Sequence, residues 1–165
     1  MSFLTIPLSS GMNRADFRSG NVVLDEYFKR QASQDLKRRL ATVYVYLENE
    51  TILGYYTLSN AGIPLTDVPE VIRKKMPTSY SQLPATLLGR LAVDNHFQGK
   101  GIGRLLLLDA LSRCHLVSQS SIGSYAVVVD PIDDASKKFY QQFGFIELTT
   151  SQRLFLPMST ITSLF

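Results

Sequence analysis

The sequence has 165 residues, of which 45% are apolar and 19% are charged, so it suits one globular domain with a sizeable core and not a disordered chain. A net charge of +3 permits a polyanionic partner without requiring one. One cysteine excludes an intrachain disulfide and a cysteine-rich zinc cluster, so we expect no metal. No signal-peptide pattern or membrane-spanning apolar run is present, so we expect a cytoplasmic protein with no membrane contact.

The N-terminal segment predicts a short strand followed by a helix. Pro7 limits the strand Leu4–Leu8 to a sheet edge or end, because proline cannot donate a ladder hydrogen bond. After a loop, Asn21 can cap the helix that follows. The apolar residues of that helix recur at helical spacing, which predicts a buried stripe formed by Leu24, Tyr27 and Phe28.

A hairpin is predicted next. The run 41–47 alternates and is rich in strand-forming residues, the run 52–58 returns as its partner, and a turn at 48–50 joins them. The chain up to the central strand is expected to contain irregular structure at 59–66, a short helix at 70–76 and a loop at 77–84.

Two groups of cations lie in this half of the chain. If the first helix runs unbroken, Arg30 and Lys37 share one face of it. A solvated helix face and a patch for RNA phosphates are both open interpretations of these groups. The candidates for RNA contact are Lys29, Arg30, Lys37, Arg38, Arg39, Arg73, Lys74, Lys75 and Arg90.

The stretch 87–108 predicts a buried strand, a glycine-rich loop and a leucine-rich helix, in that order. Three glycines in Gln98–Gly103 allow consecutive backbone N–H groups to approach a ligand, and the positive end of the helix dipole points to the same place. The loop lacks the Ser or Thr of a P-loop and the glycine spacing of a dinucleotide-binding turn. We therefore expect a diphosphate site of another kind.

The last third predicts a second buried strand at 124–130, parallel to the central one, and a final hairpin formed by 145–148 and 153–158. Between them lies a helix that Asp133 or Asp134 can cap and that Gly144 can end. Tyr140 lies one position off the apolar stripe of this helix, so packing alone need not explain it. Cys114, on the helix after the glycine loop, is expected in the core rather than as a catalytic thiol.

Four features in this order resemble the GNAT acyltransferases: the central strand, a Q-x-x-G-x-G loop at Gln98–Gly103, the second parallel strand, and Phe139-Tyr140-x-x-Phe143-Gly144-Phe145. The resemblance implies an α/β (α+β) fold of the GNAT type over residues 1–165. In that fold helices flank a mixed central β-sheet whose parallel strands splay apart. It also implies acetyl-CoA as cosubstrate.

The resemblance also assigns roles to individual residues. Leu91, Ala92 and Val93 would lie beside the pantetheine arm, and Phe139 would pack near the thioester. Tyr140 would be the general acid. Many members carry an asparagine near the position of Ala135, so the contribution of Ala135 to cofactor binding is an open question. The residues that would hold the pyrophosphate are Gln98, Gly99, Lys100, Gly101, Ile102, Gly103 and Arg104.

Within the GNAT family the chain resembles the acetyltransferase toxins of bacterial toxin–antitoxin pairs. The residues that carry this likeness are Phe17–Gly20 with Leu24-Asp25, Leu53–Ser59, Leu88–Asp94, Phe139-Tyr140 and Leu156–Phe165. Such toxins acetylate the amino group of aminoacyl-tRNA and block translation. The resemblance implies a ribbon-helix-helix antitoxin as partner, operator DNA bound only through that antitoxin, and a homodimer.

The chemistry of the acceptor gives modest independent support. A lysine amine, with a pKa near ~10.4, would need a strong base, whereas an α-amine near ~8 needs much less help. We see no convincing base, because Glu48 and Glu50 lie in a turn and His96 and His115 have no evident partner. The alternatives are an N-acetyltransferase of protein N-termini or small amines, and a non-enzymatic module that binds antitoxin or RNA.

Overall fold

The computed structural model describes residues 2–165, and in that part of the chain seven strands form one mixed sheet in the order β1-β2-β3-β4-β5-β7-β6. The strands are β1 (Ile6–Pro7), β2 (Thr42–Glu48), β3 (Thr51–Pro64), β4 (Gln82–Val93), β5 (Ala126–Val129), β6 (Ile146–Glu147) and β7 (Leu154–Pro157). The α-helices are α1 (Val22–Glu26), α2 (Ala32–Lys37), α3 (Glu70–Arg73), α4 (Ile102–Ser120), α5 (Asp134–Gln142) and α6 (Met158–Thr162). A mixed sheet with helices confirms the expected fold class.

One compact unit consists of the chain up to Ser59 together with Leu88–Arg113. Strands β1, β2 and β3 pair antiparallel within it, with Val45 opposite both Ile6 and Tyr55. The ring of Phe28 stacks on that of Tyr55 at a centroid distance of 4.2 Å. The buried core of this unit consists of Leu8, Phe17, Tyr27, Phe28, Ala32, Val43, Val45, Ile52, Tyr55 and Ala92.

The second compact unit consists of Asn60–Leu87 and Cys114–Phe165. Strand β7 lies between β5 and β6 and pairs antiparallel with both, so that Phe155 is opposite Val128 on one side and Ile146 on the other. The backbone N–H of Tyr125 donates to the carbonyl of Pro84 at 2.7 Å. The buried core consists of Ile63, Val68, Leu83, Ala85, Ala126, Val128, Leu148 and Phe155.

The first helix is not an unbroken α-helix, so the condition under which Arg30 and Lys37 would share one face is not met. Asn21 caps α1 as expected, but Tyr27–Gln31 is π-helical before α2 begins. A π-turn holds more residues than an α-turn and rotates everything after it. The turn buries both Tyr27 and Phe28, and the Tyr27 hydroxyl donates to the Asp35 carboxylate at 2.8 Å.

The hairpin extends further than predicted. Its turn residues, Asn49 and Glu50, both have positive φ, as expected for a tight two-residue connection. Strand β3 continues to Pro64, so the prediction of irregular chain at 59–66 is wrong over most of its length. Strand β4 begins at Gln82, inside the predicted loop. Sheet pairing in the folded protein overrides the weak strand propensity of Asn60, Gly62 and Pro84.

Helices α4 and α5 lie where the sequence predicts helices, whereas α3 ends at Arg73 instead of residue 76 and α6 was not predicted. The Cys114 side chain on α4 is buried, which raises the pKa of the thiol to about 12. Cys114 is therefore a core residue. Asp133 caps α5 through a reciprocal capping box with Ser136, and Gly144 supplies the positive φ after the helix. Of the helices in residues 2–165, none is both long and apolar enough to span a bilayer.

Candidate cofactor and active site

The glycine loop has an open backbone surface. Gly99 and Gly101 have φ values of +78° and +80°, a conformation that strains any other residue. A Cβ atom added at either position would meet no atom within 4 Å, so these glycines are needed for the shape of the loop and not to relieve crowding. Residues Gln98 to Gly101 are all exposed, which leaves this surface accessible to a ligand.

The loop leads directly into α4, which begins at Ile102 and runs for 19 residues. The first N–H groups of a helix have no partner within the helix, and they carry the positive end of its dipole. The first turn of α4 contains no acidic side chain that would neutralise this charge. Loop and helix together therefore offer the exposed backbone and the positive helix end that favour an anion, and anion binding here stays a prediction.

Gln98 has a structural role that the motif alone did not reveal. Its side-chain amide donates to the carbonyl oxygen of Val93 at 2.9 Å and to that of Ser19 at 2.7 Å. The amide thereby joins the end of β4, the loop and an N-terminal segment. Gln98 fixes where the loop begins.

The N-terminal segment 17–20 supports the loop through further bonds. The N–H of Arg18 donates to the Asp94 carboxylate at 3.1 Å, and the N–H of Asn95 donates to the carbonyl of Arg18 at 2.7 Å. Gly20 has φ of +95°, and a Cβ there would lie 3.2 Å from Oδ1 of Asn95. These contacts span more than 70 residues of sequence, so local periodicity could not have predicted them.

His96 has a partner, so the expectation that it is unpaired is wrong. Its Nδ1 lies 2.8 Å from Oδ1 of Asp94, and its backbone N–H donates to the same oxygen at 2.9 Å. Asp94 is buried, which by itself raises the pKa of its carboxyl group. Bonds from the backbone N–H groups of His96 and Arg18 and from the His96 side chain outweigh burial and lower this pKa.

The three residues at the end of β4 are placed differently. Ala92 is buried in the core, so its side chain is not available to a ligand, whereas Leu91 and Val93 are half-buried. Gly54 on β3 lies against this segment, because a Cβ at Gly54 would be 2.7 Å from the carbonyl oxygen of Ala92. A role for this segment beside a cofactor stays a prediction.

Helix α5 carries the predicted acid. The Tyr140 side chain is 8% exposed, and its ring packs edge-on against Phe139 and Phe145 at centroid distances of 5.3 and 5.4 Å. Burial raises the pKa of the Tyr140 phenol, which keeps the group protonated across the physiological range. Phe139 is half-buried and Ala135 is exposed on the same helix. The roles assigned to these three residues stay predictions.

The candidate RNA-binding cations are mostly exposed, but several have protein partners. Arg30 pairs with Glu26 at 2.6 Å and Lys74 pairs with Glu70 at 3.4 Å. The guanidinium of Arg90 lies 3.5 Å from the ring centroid of Tyr27. Lys29 is half-buried, and the remaining candidates are exposed: Lys37, Arg38, Arg39, Arg73 and Lys75. Contact of these residues with RNA stays a prediction.

Among residues 2–165, no group of three or more His, Cys, Asp or Glu side chains could hold a metal ion.

Several solved structures have a fold similar to that of this chain. AtaT complexed with acetyl-methionyl-tRNAfMet has a TM-score of 0.90 at 25% identity, with 99% of each chain covered. AtaTR bound with AcCoA has a TM-score of 0.84 at 26% identity, covering 97% of this chain and 96% of that one. A KacTA–DNA complex has a TM-score of 0.76 at 27% identity, covering 99% and 96%.

Sequence comparisons give the same result. A tRNA-acetylating toxin of Mycobacterium tuberculosis is 32% identical over 151 residues, which cover 92% of this chain and 88% of that protein. Residues 39–147 match the family model described as an acetyltransferase (GNAT) domain. The chain therefore belongs to the GNAT family of acetyltransferases.

Proposed function

We propose that this protein is a toxin that transfers the acetyl group of acetyl-CoA to the α-amine of aminoacyl-tRNA and so blocks translation. The observation that carries the proposal is the open glycine loop at the uncompensated N-terminus of α4, in a chain that is similar over nearly its whole length to a tRNA-acetylating toxin. The solved relative AtaT, complexed with acetyl-methionyl-tRNAfMet, supports the same acceptor.

The loop fits a diphosphate. Backbone N–H groups of Gly99–Gly103 would hold its oxygens, with Lys100 and Arg104 adding positive charge. The half-buried residues Leu91 and Val93 would offer backbone groups to the pantetheine arm. When bound, acetyl-CoA supplies an acetyl group activated by its bond to sulfur, as AcCoA bound to the relative AtaTR suggests.

Tyr140 would act as the general acid. During transfer the leaving sulfur must gain a proton and the attacking nitrogen must lose one. Because burial raises its pKa, Tyr140 is a weaker acid than a free phenol, whereas a thiol has a pKa of about 8.5. Complete transfer of the Tyr140 proton to a free thiolate is therefore uphill, so Tyr140 would hydrogen-bond to the leaving sulfur and give up its proton only as the proton lost by the attacking nitrogen replaces it.

An α-amine suits a site of this composition. At a pKa near ~8 a substantial fraction is unprotonated at neutral pH, so the acceptor can react without a strong base. The exposed cations Lys37–Arg39 and Arg73–Lys75 would contact tRNA phosphates, in keeping with the net charge of +3. An N-acetyltransferase of protein N-termini or small amines would have no need of such contacts.

The partners follow from the relatives. The relative KacTA has been solved in complex with DNA, which supports a partner protein through which the toxin is linked to operator DNA. We propose that this partner is a ribbon-helix-helix antitoxin, that the toxin is a homodimer, and that it acts in the bacterial cytoplasm, where charged tRNA is found.

The test is incubation with labelled acetyl-CoA and total charged tRNA, followed by mass analysis of the aminoacyl-adenosine. Acetylated aminoacyl-adenosine is expected, with a rate that falls as salt rises, because phosphate contacts are screened. Label that appears only on free peptides or small amines, independently of salt, would establish the alternative acceptor instead.

Replacing Tyr140 with phenylalanine should lower the transfer rate by about 10²–10⁴-fold, the usual contribution of a positioned acid or base. Acetyl-CoA affinity, measured by calorimetry, should stay unchanged. The matched control is Tyr80→Phe, since Tyr80 is an exposed loop residue. A Tyr140→Phe protein that transfers acetyl groups at the wild-type rate would show that Tyr140 is not the general acid, without contradicting the transferase activity.

A further inference from the structure

A cavity at the carboxyl end of β5 has no role in the activity described so far. We infer that this cavity, called here the β5-end cavity, receives the side chain of the amino acid whose α-amine is acetylated. The inference rests on the proposed function. The cavity has a volume of about 510 Å³, within the range of small-ligand sites. Its lining residues are Pro64, Asp67, Asp130, Pro131, Leu148, Ser151, Gln152 and Arg153.

The position of the cavity favours a ligand site. Asp130 and Pro131 directly follow the last residue of β5, and open α/β sheets bind their ligands outside the carboxyl ends of their strands. The same segment leads within three residues to Asp133, which caps the helix that carries Tyr140. A substrate group in the cavity would thus contact the chain that sets the position of α5.

The walls of the cavity are fixed before any ligand binds. The buried carboxylate of Asp67 accepts bonds from the N–H of Thr150 at 2.6 Å, its hydroxyl at 2.5 Å and the hydroxyl of Ser151 at 3.1 Å. Also in the lining, Arg153 donates through Nε and Nη2 to both oxygens of Asp130, at 2.8 and 3.1 Å. A site braced in this way loses little entropy when a ligand enters.

The charge of the lining selects the kind of group that can enter. Two carboxylates and one guanidinium leave one formal negative charge, which disfavours the phosphates of tRNA. Pro64, Pro131 and Leu148 supply apolar surface. The lining therefore suits an uncharged amino-acid side chain better than a nucleotide.

Gln152 is the residue with which to test the inference, because it is exposed and lines the cavity. One tRNA body charged in turn with glycine, leucine, methionine and phenylalanine isolates the effect of the side chain. Gln152→Trp should lower the rate with the three large amino acids relative to glycine by about tenfold or more, since a pocket that loses room discriminates on that scale. Gln152→Ala, which enlarges the cavity, should shift preference toward phenylalanine.

The matched controls are Gln119→Trp and Gln119→Ala, because Gln119 is exposed near the end of α4 and does not line the cavity. They should leave the amino-acid ranking unchanged, and all four variants should bind acetyl-CoA with the wild-type affinity. If the Gln152 variants kept the wild-type ranking of amino acids, or if their transfer rates fell equally for every amino acid, this inference would be overturned and the proposed function would stand. Wild-type protein that acetylates no charged tRNA would overturn the proposed function and, with it, this inference.

Discussion

Replacing Asp109 with alanine is expected to lower the free energy of unfolding by about 3–5 kcal/mol, the cost of breaking a buried ion pair. The carboxylate of Asp109 is buried on α4. It accepts hydrogen bonds from the N–H of Leu4 at 2.6 Å, the hydroxyl of Thr5 at 2.5 Å and the hydroxyl of Tyr56 at 2.7 Å. Nε of Arg113 lies 3.6 Å from the same carboxylate.

The size of the effect depends on Arg113, whose side chain is only 15% exposed. Its guanidinium lies 4.0 Å from the ring centroids of both Phe3 and Tyr44 and donates to the carbonyl of Thr5 at 2.6 Å. These contacts hold the cation in place after Asp109 is removed, so it stays buried without its counter-charge. For a chain of this size the loss corresponds to a fall in melting temperature of about 6–20 °C.

The assay is urea and thermal denaturation of the wild type and the variant. The control is Asp16→Ala, because Asp16 is exposed and accepts one bond of 3.3 Å from Asn13; its effect should stay within about 0.5 kcal/mol. The double variant Asp109→Leu with Arg113→Met should be more stable than Asp109→Ala, because it leaves no unpaired charge. A double variant less stable than the single one would refute the reasoning.

Two further predictions concern the support of the glycine loop. Gly54→Ala should cost about 1–3 kcal/mol in urea denaturation and weaken acetyl-CoA binding, because its Cβ would lie 2.6 Å from Cδ1 of Leu106 and 2.7 Å from the backbone oxygen of Ala92. Hydrogen bonds lower the pKa of the Asp94 carboxyl group below 3.8, although burial opposes them. The stabilisation that Asp94 contributes is therefore complete above about pH 4, and it is lost as the pH falls through the pKa that Asp94 has in the folded protein. The Asp94→Asn protein should be less stable than the wild type at pH 7, and it should lose less stability than the wild type on acidification below pH 4.

Two results would contradict these predictions. A Gly54→Ala protein with wild-type stability would show that β4 moves away from β3 at little cost. An Asp94→Asn protein whose stability falls with acid as steeply as that of the wild type would show that other carboxyl groups account for the dependence. Asp16→Asn, at an exposed position, is the control for the acid titration.

The sequence was most informative where a short motif dictates backbone shape. The glycines of the loop, the Asp133 cap and Gly144 could all be placed in advance, because a positive φ or a capping bond leaves few residue types to choose from. The second half of β3 could not, since Asn60 and Gly62 have weak strand propensity and only sheet pairing holds them extended. The π-turn at Tyr27 is likewise a product of packing.

The contacts of Gln98 suggest a structural role for the glutamine of the Q-x-x-G-x-G motif. A reading based on side-chain chemistry would place Gln98 on the ligand, yet its amide already donates to Val93 and Ser19. The motif therefore encodes the shape of a backbone surface, with Gln98 holding the start of the loop and the glycines turning it. Segment 17–20 contributes to this arrangement, because the carbonyl oxygen of Ser19 accepts one of the two Gln98 bonds. Substitutions at Ser19 or Gly20 should therefore weaken acetyl-CoA binding, although neither residue belongs to the loop.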